Sequence, residues 1–322
     1  MRDRVSRRRR RRNPYAGLIH LLNKRYHDEW QRAELLQNDV TNLTNSKFAR
    51  AAEWLRRLCR RVIPHPAVVQ KYITEKATPY TGPTLPVPDA RVSIIIPFRD
   101  RPELLRNCLR SLRRSTFSRF EIVLIDNGST DPRTERLLAR IHSRQVLRLL
   151  NRPEPFNFSR LCNAGAAAAT GDYLLFLNND TEVLTREWLE RMLTLAAVPD
   201  VGAVGATLLY PDHTIQHAGM LPRSDGMWIH PYQGLPANHP GEEDELRIVR
   251  VVPAVTAACL LMRREMFDAV HGFDEQLPVS LNDVDLCRRV RARGKLVVVT
   301  PHARLLHYEA LSRGYTVDQP EG

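Results

Sequence analysis

No stretch of this chain approaches the roughly 20 uninterrupted apolar residues that a membrane-spanning helix needs. The basic N-terminus is not followed by the apolar region of a secretion signal, because Gly17-Leu18-Ile19 is soon broken by His20, Asn23 and Lys24. Cysteine is scarce: Cys59, Cys108, Cys162, Cys259 and Cys287 are scattered, odd in number and form no C-x-x-C pair. That pattern argues against a disulfide framework or a structural zinc site and fits a reducing cytoplasm. Internal repeats are absent too, and low complexity is confined to one arginine run. Acidic residues are in short supply only at one end. Of the net charge of +12, residues 1–12 carry +7, residues 13–90 carry +4 and residues 91–322 only +1. A near-neutral main body lacks the broad phosphate-binding surface of a nucleic-acid protein, so no nucleic-acid partner is expected.

What is present falls into four parts. Residues 1–14 read as a disordered, solvated tail whose functional reading is peripheral contact with an anionic membrane on its inner face, at about 1 kcal/mol per basic residue. Residues 15–90 read as a helical extension, with Leu18, Leu21, Leu22, Tyr26 and Trp30 and later Phe48, Trp54, Leu55 and Leu58 at helical spacing, followed by a proline-punctuated linker from Pro64 to Pro88. The main domain spans 91–314, and 315–322 is a C-terminal tail.

Within the main domain apolar runs alternate with helical patterns. Runs at Val92–Ile96, Phe120–Ile125, Val146–Leu150 and Tyr173–Leu177 are separated by helical segments at Pro102–Arg114, Pro132–His142 and Ser159–Ala169. Strands apolar on both faces and separated by helices predict an α/β fold with a mainly parallel central sheet flanked by helices. The second half is less regular, with a helix from Trp188 to about Ala197, strands at Val201–Leu209 and Val249–Val252, and helices at Glu265–Val270 and Asp283–Arg293. It is expected to build the acceptor side. Ligands of open α/β sheets bind beyond the carboxyl ends of the strands. Pro97 to Arg101, Asp126 to Asp131 and Asn178 to Asp180 are therefore the first candidates for chemistry.

Each place also has a plain reading. Asp126 to Asp131 makes an ordinary strand-to-helix turn with Asp131 as cap. Asn178-Asn179-Asp180 ends a strand in oxygen ligands suited to a hard divalent cation, or simply leads into the next helix. Asn282-Asp283-Val284-Asp285-Leu286 opens a helix, where acids are favoured by the macrodipole whatever their role. His307 follows the apolar run Ala303–Leu306, and a neutral imidazole near Asp180 would extend a metal shell. The loop from Asp225 to Glu245 carries Trp228, His230, Tyr232 and His239, which makes it either an acceptor-contacting loop or an ordinary surface loop in equal measure.

Taken in order, these segments resemble the family 2 glycosyltransferases of the GT-A fold over roughly residues 91–314. Val92 to Pro97 resembles that family's first strand, and Ile125 to Asp131 its nucleoside-binding turn. Phe176 to Asp180 stands where its metal-binding D-x-D motif lies, and Gly272 to Glu275 with Asn282 to Leu286 matches the segment holding its catalytic base. The resemblance implies a nucleotide-sugar donor bound by Pro97, Phe98, Arg99, Asp126, Asn163 and Asn179, with Asp180 and His307 holding Mn²⁺ or Mg²⁺. It implies Asp283 as the base of a single, inverting displacement, and Trp228, Asp285 and Arg313 on the acceptor side. A closer likeness, through Gln216-His217-Ala218-Gly219 and His307 to Gly314, is to bacterial polysaccharide, O-antigen and rhamnosyltransferase-like members, which implies a glycan or lipid-linked glycan acceptor. Asn178 replaces the first acid of D-x-D, so the metal depends on Asp180 and His307.

Two other classes compete. A sugar nucleotidyltransferase needs a glycine-rich basic loop after the first strand, and Pro97-Phe98-Arg99-Asp100-Arg101 has no glycine. A non-catalytic membrane- or nucleic-acid-binding protein would act through the arginine tail.

Overall fold

The computed structural model describes residues 87–142, 147–223 and 225–308. The arginine tail, all but the last few residues of the 15–90 extension and linker, Arg313 and the C-terminal tail lie outside the described residues.

The alternating half of the chain folds as its pattern requires. Strands β1 (Val92–Phe98), β2 (Phe120–Asp126), β3 (Leu147–Asn151) and β4 (Tyr173–Leu177) are separated by helices α1 (Pro102–Leu112), α2 (Pro132–His142) and α3 (Phe158–Ala168). All neighbours in the order β3-β2-β1-β4 are parallel. After β5 (Thr181–Val183) and α4 (Trp188–Ala196) come β6 (Val201–Leu209), β7 (Ile215–His217) and a small hairpin, β8 (Leu221–Pro222) with β9 (Trp228–Ile229). A 3-10 turn (Glu242–Arg247), β10 (Arg250–Val251), β11 (Cys259–Arg263), α5 (Arg264–Ala269), α6 (Asn282–Ala292) and β12 (Leu296–His307) complete the fold.

One strand departs from the expected pattern. β11 lies between β4 and β6 and is antiparallel to both, with Leu260 opposite Phe176 and Gly205. Because it reverses direction twice over, β6 and the parallel β12 point the same way as β1 to β4. The sheet stays mainly parallel, with β11, β10 and the short β5 and β7 as its reversed members.

Both faces of the sheet are covered, which is why the strands read as unbroken apolar runs. Ile94 and Ile96 of β1 face a cluster with Leu105 and Leu109 of α1 and Trp188 and Leu189 of α4. Ile95, one residue out of phase, faces Leu161 of α3, Phe267 of α5 and Leu286 of α6. Helix α3 approaches the sheet through Gly165, where an added Cβ would meet Ile95 Cγ2 at 2.5 Å and Ile125 Cδ1 at 2.9 Å. Gly165→Ala therefore overpacks this contact, and urea denaturation should report a loss of about 1–3 kcal/mol; an unchanged midpoint would show that the layers yield.

The amino ends of the strands are fastened by a buried carboxylate. Glu121 accepts from Ser93 Oγ at 2.7 Å and from the backbone N–H and hydroxyl of Thr170 at 2.6 and 2.8 Å. Burial alone would raise this carboxyl, but those hydrogen bonds and Arg91 hold it below its ordinary value. The opposite, carboxyl edge is left for ligands.

Candidate active site

Two loops meet at the carboxyl ends of β1 and β2. Asp100 Oδ1 accepts the backbone N–H groups of Thr130 and Asp131 at 2.7 and 2.8 Å, and Asp100 N–H donates to Ser129 Oγ at 2.8 Å. To reach them, Asp100 and Arg101 both adopt left-handed backbone, with φ of 50° and 49°. Two consecutive non-glycine residues in that region cost of order 1–3 kcal/mol each and persist only where surrounding contacts enforce them. Gly128, at φ 75° and with Pro153 Cα only 3.2 Å from where its Cβ would be, completes the turn.

These loops border a cleft of about 340 Å³ lined by Pro97, Phe98, Arg99, Asn127, Phe156, Phe158, Leu161, Asn178, Asn179 and Val279. Pro97, Phe98, Arg99 and Asn179 thus lie where the sequence reading has the donor. Asp126 is not among the lining residues; it precedes Asn127 in the chain, and its Oδ1 accepts Ser129 N–H at 2.8 Å. Asn163 does not line the cleft. Its amide is engaged by the chain reversal before α6, donating to Phe273 O at 2.9 Å and Glu275 Oε1 at 3.1 Å and accepting Phe273 N–H at 2.9 Å. Its amide shapes that turn.

Asn127 was not singled out in the sequence, because it looks like one more polar turn residue. It is buried and donates through Nδ2 to Arg152 O and Glu154 O at 2.7 and 2.8 Å, holding the segment after β3 against the cleft. Its Oδ1 and Asn179 Nδ2 are buried polar atoms with no protein partner. Such atoms cost stability unless a ligand or water satisfies them.

On the other flank, Asp180 and His307 come together through strand pairing. β5 and β12 are antiparallel with His307 opposite Thr181, and Tyr308 N–H donates to Asp180 O at 3.0 Å. His307 Nε2 lies 3.3 Å from Asp180 Oδ1 and 3.2 Å from Asn178 Nδ2, while Nδ1 lies 2.7 Å from Gln216 Oε1. The Gln216 carbonyl can only accept, so Nδ1 donates to it, and in the neutral ring the Nε2 lone pair faces the carboxylate. Two lone-pair atoms at this separation suit a cation between them, since cis ligands with bonds of about 2.1 Å stand on the order of 3 Å apart. A histidine whose second nitrogen donates to a carbonyl is the usual arrangement of a metal ligand. Among the described residues no group of three or more His, Cys, Asp or Glu is placed to hold a metal ion by itself. The donor set therefore fits an ion that completes its shell with substrate and solvent oxygens.

Asp283 lies in the first turn of α6. Its Oδ2 accepts Ala257 N–H at 3.2 Å, its Oδ1 accepts Val284 N–H at 2.8 Å, and the Thr256 hydroxyl also reaches it. Burial pushes its carboxyl above the ordinary value, and these hydrogen bonds and nearby His230 only partly oppose that. The next residue, Ala258, accepts Asn178 N–H at 3.1 Å. Successive residues of the Thr256–Ala258 segment thus hold the Asp283 carboxylate and the Asn178–Asp180 turn.

Asp285 faces elsewhere. Two residues of α-helix turn it about 200° from Asp283, and it pairs with Arg288 and Arg289, the latter also capping Val270 O and Gly272 O. Trp228, on β9, packs partly buried against the layer containing Val255 and Val284. Cysteine chemistry has no place here: Cys108, Cys162, Cys259 and Cys287 are buried, and burial pushes their thiols up, Cys108 and Cys287 to about 12. No helix among the described residues is long and apolar enough to cross a membrane.

A family model described as "Glycosyl transferase family 2" matches residues 93–270. The O-antigen biosynthesis protein RfbC of Myxococcus xanthus is 42% identical over 69% of this chain, although the match spans only 18% of that protein. The N-acetylglucosaminyl-diphospho-decaprenol L-rhamnosyltransferase of Mycobacterium tuberculosis is 28% identical over 65% of this chain and 73% of its own length. Among solved structures, GalNAc-T7 with UDP, GalNAc and Mn²⁺ superposes with a TM-score of 0.58, at 16% identity, over 70% of this chain and 44% of that one. This likeness establishes the GT-A fold alone.

Proposed function

Because the chain belongs to glycosyl transferase family 2 and is a glycosyltransferase, we propose that its cleft moves a sugar from a nucleotide-sugar to a hydroxyl of a glycan or lipid-linked glycan, with inversion. The observation that carries this reading is the convergence of Asp283 and the Asn178–Asp180 turn on the adjacent residues Ala257 and Ala258.

In this reading Pro97, Phe98 and Arg99 wall the nucleotide pocket, Asp126 and Asn127 meet the base, and Asn179 turns its buried amide toward the donor. Asp180 and His307 would hold Mn²⁺ or Mg²⁺, which when bound neutralises charge gathering on the departing nucleoside diphosphate. Asp283 takes the proton of the acceptor hydroxyl as that oxygen attacks the anomeric carbon from the face opposite the leaving group. Burial favours this role, because a carboxylate with a raised pKa is a stronger base. The likeness to the O-antigen biosynthesis protein and the rhamnosyltransferase favours a polysaccharide or O-antigen acceptor and a deoxyhexose such as rhamnose as the sugar. The arginine tail would add peripheral contact with an anionic membrane.

The direct test incubates the full chain with UDP-, dTDP- and GDP-sugars and Mn²⁺, with and without nitrophenyl hexosides as acceptors. One nucleotide class should raise the melting temperature and be consumed, with inverted configuration in the product. If no donor shifts the melting curve or is turned over above a blank, the reading fails.

A further inference from the structure

His217 ends β7 and is buried to 1% exposure, yet it belongs neither to the nucleotide cleft nor to the Asp180–His307 pair. Its Nε2 receives two backbone N–H groups, those of Gly219 and Thr256, each at 3.4 Å. Two donors aimed at one ring nitrogen leave no room for a proton there, so the ring hydrogen is on Nδ1. That Nδ1 lies 3.0 Å from His230 Nδ1, with the two rings edge to face and centroids 5.1 Å apart. His230 Nδ1 must then accept, and the proton of the His230 ring is on Nε2. Burial, together with His230, Arg250 and His307, also disfavours a charged His217, pushing it well below its ordinary value.

The outcome is a direction. Nδ1 of His230 is engaged by His217, so Nε2–H lies across the ring from that contact. His230 follows β9, directly after Trp228 and Ile229, and lies near Asp283. The Thr256 backbone that donates to His217 adjoins Ala257, whose N–H donates to Asp283. One short segment therefore registers both the base and the histidine pair.

Resting on the transferase reading above, we propose that the His217–His230 pair is a tautomer lock that makes His230 an Nε2–H donor to an oxygen of the acceptor sugar beside Asp283. His230 touches the acceptor and His217 is a positioning residue behind it. A hydroxyl held by a fixed donor presents its neighbour to Asp283 in one orientation, so the pair selects which sugar hydroxyl is glycosylated.

Two measurements on the full chain test this. The first is the imidazole ¹⁵N spectrum of histidine-labelled protein, which reads the tautomers whatever the chain turns over, so that failure of the lock and failure of the transferase reading are distinct. His217 should appear as the Nδ1–H form and His230 as the Nε2–H form; the reverse assignment for either overturns the proposal. The second is kinetics with nitrophenyl glucosides, N-acetylglucosaminides, galactosides and rhamnosides as acceptor probes. His230→Ala should raise acceptor KM about tenfold, the worth of one hydrogen bond, with donor KM unmoved, and His230→Gln should recover most of the loss by restoring an N–H donor. His217→Ala should raise acceptor KM by less and loosen the choice of hydroxyl in the product. An acceptor KM unaltered in His230→Ala, or a donor KM raised equally, overturns the acceptor role.

Discussion

Replacing Asp283 by Asn should cut transfer by about 10² to 10⁴ while the donor still binds. The carboxylate accepts Ala257 N–H through Oδ2 and Val284 N–H through Oδ1. An amide of the same shape keeps one of these acceptors, gives up the other and can no longer take a proton. The substitution also removes a charge that burial disfavours. Since the folded carboxyl lies above its ordinary value, the folded chain binds this proton more tightly than the unfolded one, and stability falls as pH rises from the ordinary carboxylate range through the raised value. At neutral pH the neutral amide avoids that loss, which offsets the missing acceptor, so the melting temperature should stay within a few degrees of the parent's. The same shift fixes the sign of the rate profile. The base works deprotonated, so kcat/KM rises with pH, and its acid limb in the parent lies above the ordinary carboxylate range and vanishes in the variant's residual rate. Normal turnover by the Asn variant, or an acid limb retained in it, would assign the proton transfer to another group.

How much of the candidate site is legible in the sequence follows from where each piece of information resides. The Asp126 turn, Asn178–Asp180 and the start of α6 each follow a run whose periodicity is local, so their place at the sheet's ligand edge follows from strand and helix order. β11 escaped for the opposite reason. Cys259–Arg263 is a short apolar run buried on both faces, and its reversed direction is decided by partners some 50 to 90 residues earlier in the chain, Gly205 of β6 and Leu174 to Leu177 of β4. No spacing within the run records that. β12 shows a partial case: Ala303–Leu306 is visible, but the strand extends back to Leu296 across a register shift between Thr300 and Arg304, where Pro301 interrupts the ladder. Asn163 and Asp285 mark the limit for side chains. Both sit near motif residues, yet one amide is taken up by Phe273 and Glu275 and one carboxylate by Arg288 and Arg289. Chain order places a residue near a site; only the competing hydrogen-bond partners decide which way it faces.

The Asp180–His307 pair depends entirely on such a distant pairing, and its loss should be the other large effect. Asp180→Ala should abolish the stabilisation that Mn²⁺ and a nucleoside diphosphate together give the chain in thermal shift, and should lower transfer about 10³-fold, the scale of several kcal/mol of charge stabilisation at a departing diphosphate. His307→Ala should weaken Mn²⁺ binding measured by electron paramagnetic resonance, and more so than Mg²⁺ binding, because an imidazole nitrogen suits the softer ion. Gln216 provides the sharper control. It does not line the cleft, and its Oε1, 2.7 Å from His307 Nδ1, holds a proton on that ring nitrogen. Gln216→Ala frees the ring to rotate or change tautomer and should cost about 10- to 100-fold in Mn²⁺ affinity, whereas Gln216→Glu keeps an acceptor at that distance and should retain most of it. If Asp180→Ala still binds Mn²⁺ with the diphosphate as the parent does, or if Gln216→Ala leaves Mn²⁺ affinity unchanged, then the ladder that sets His307 opposite Thr181 serves only to close the sheet.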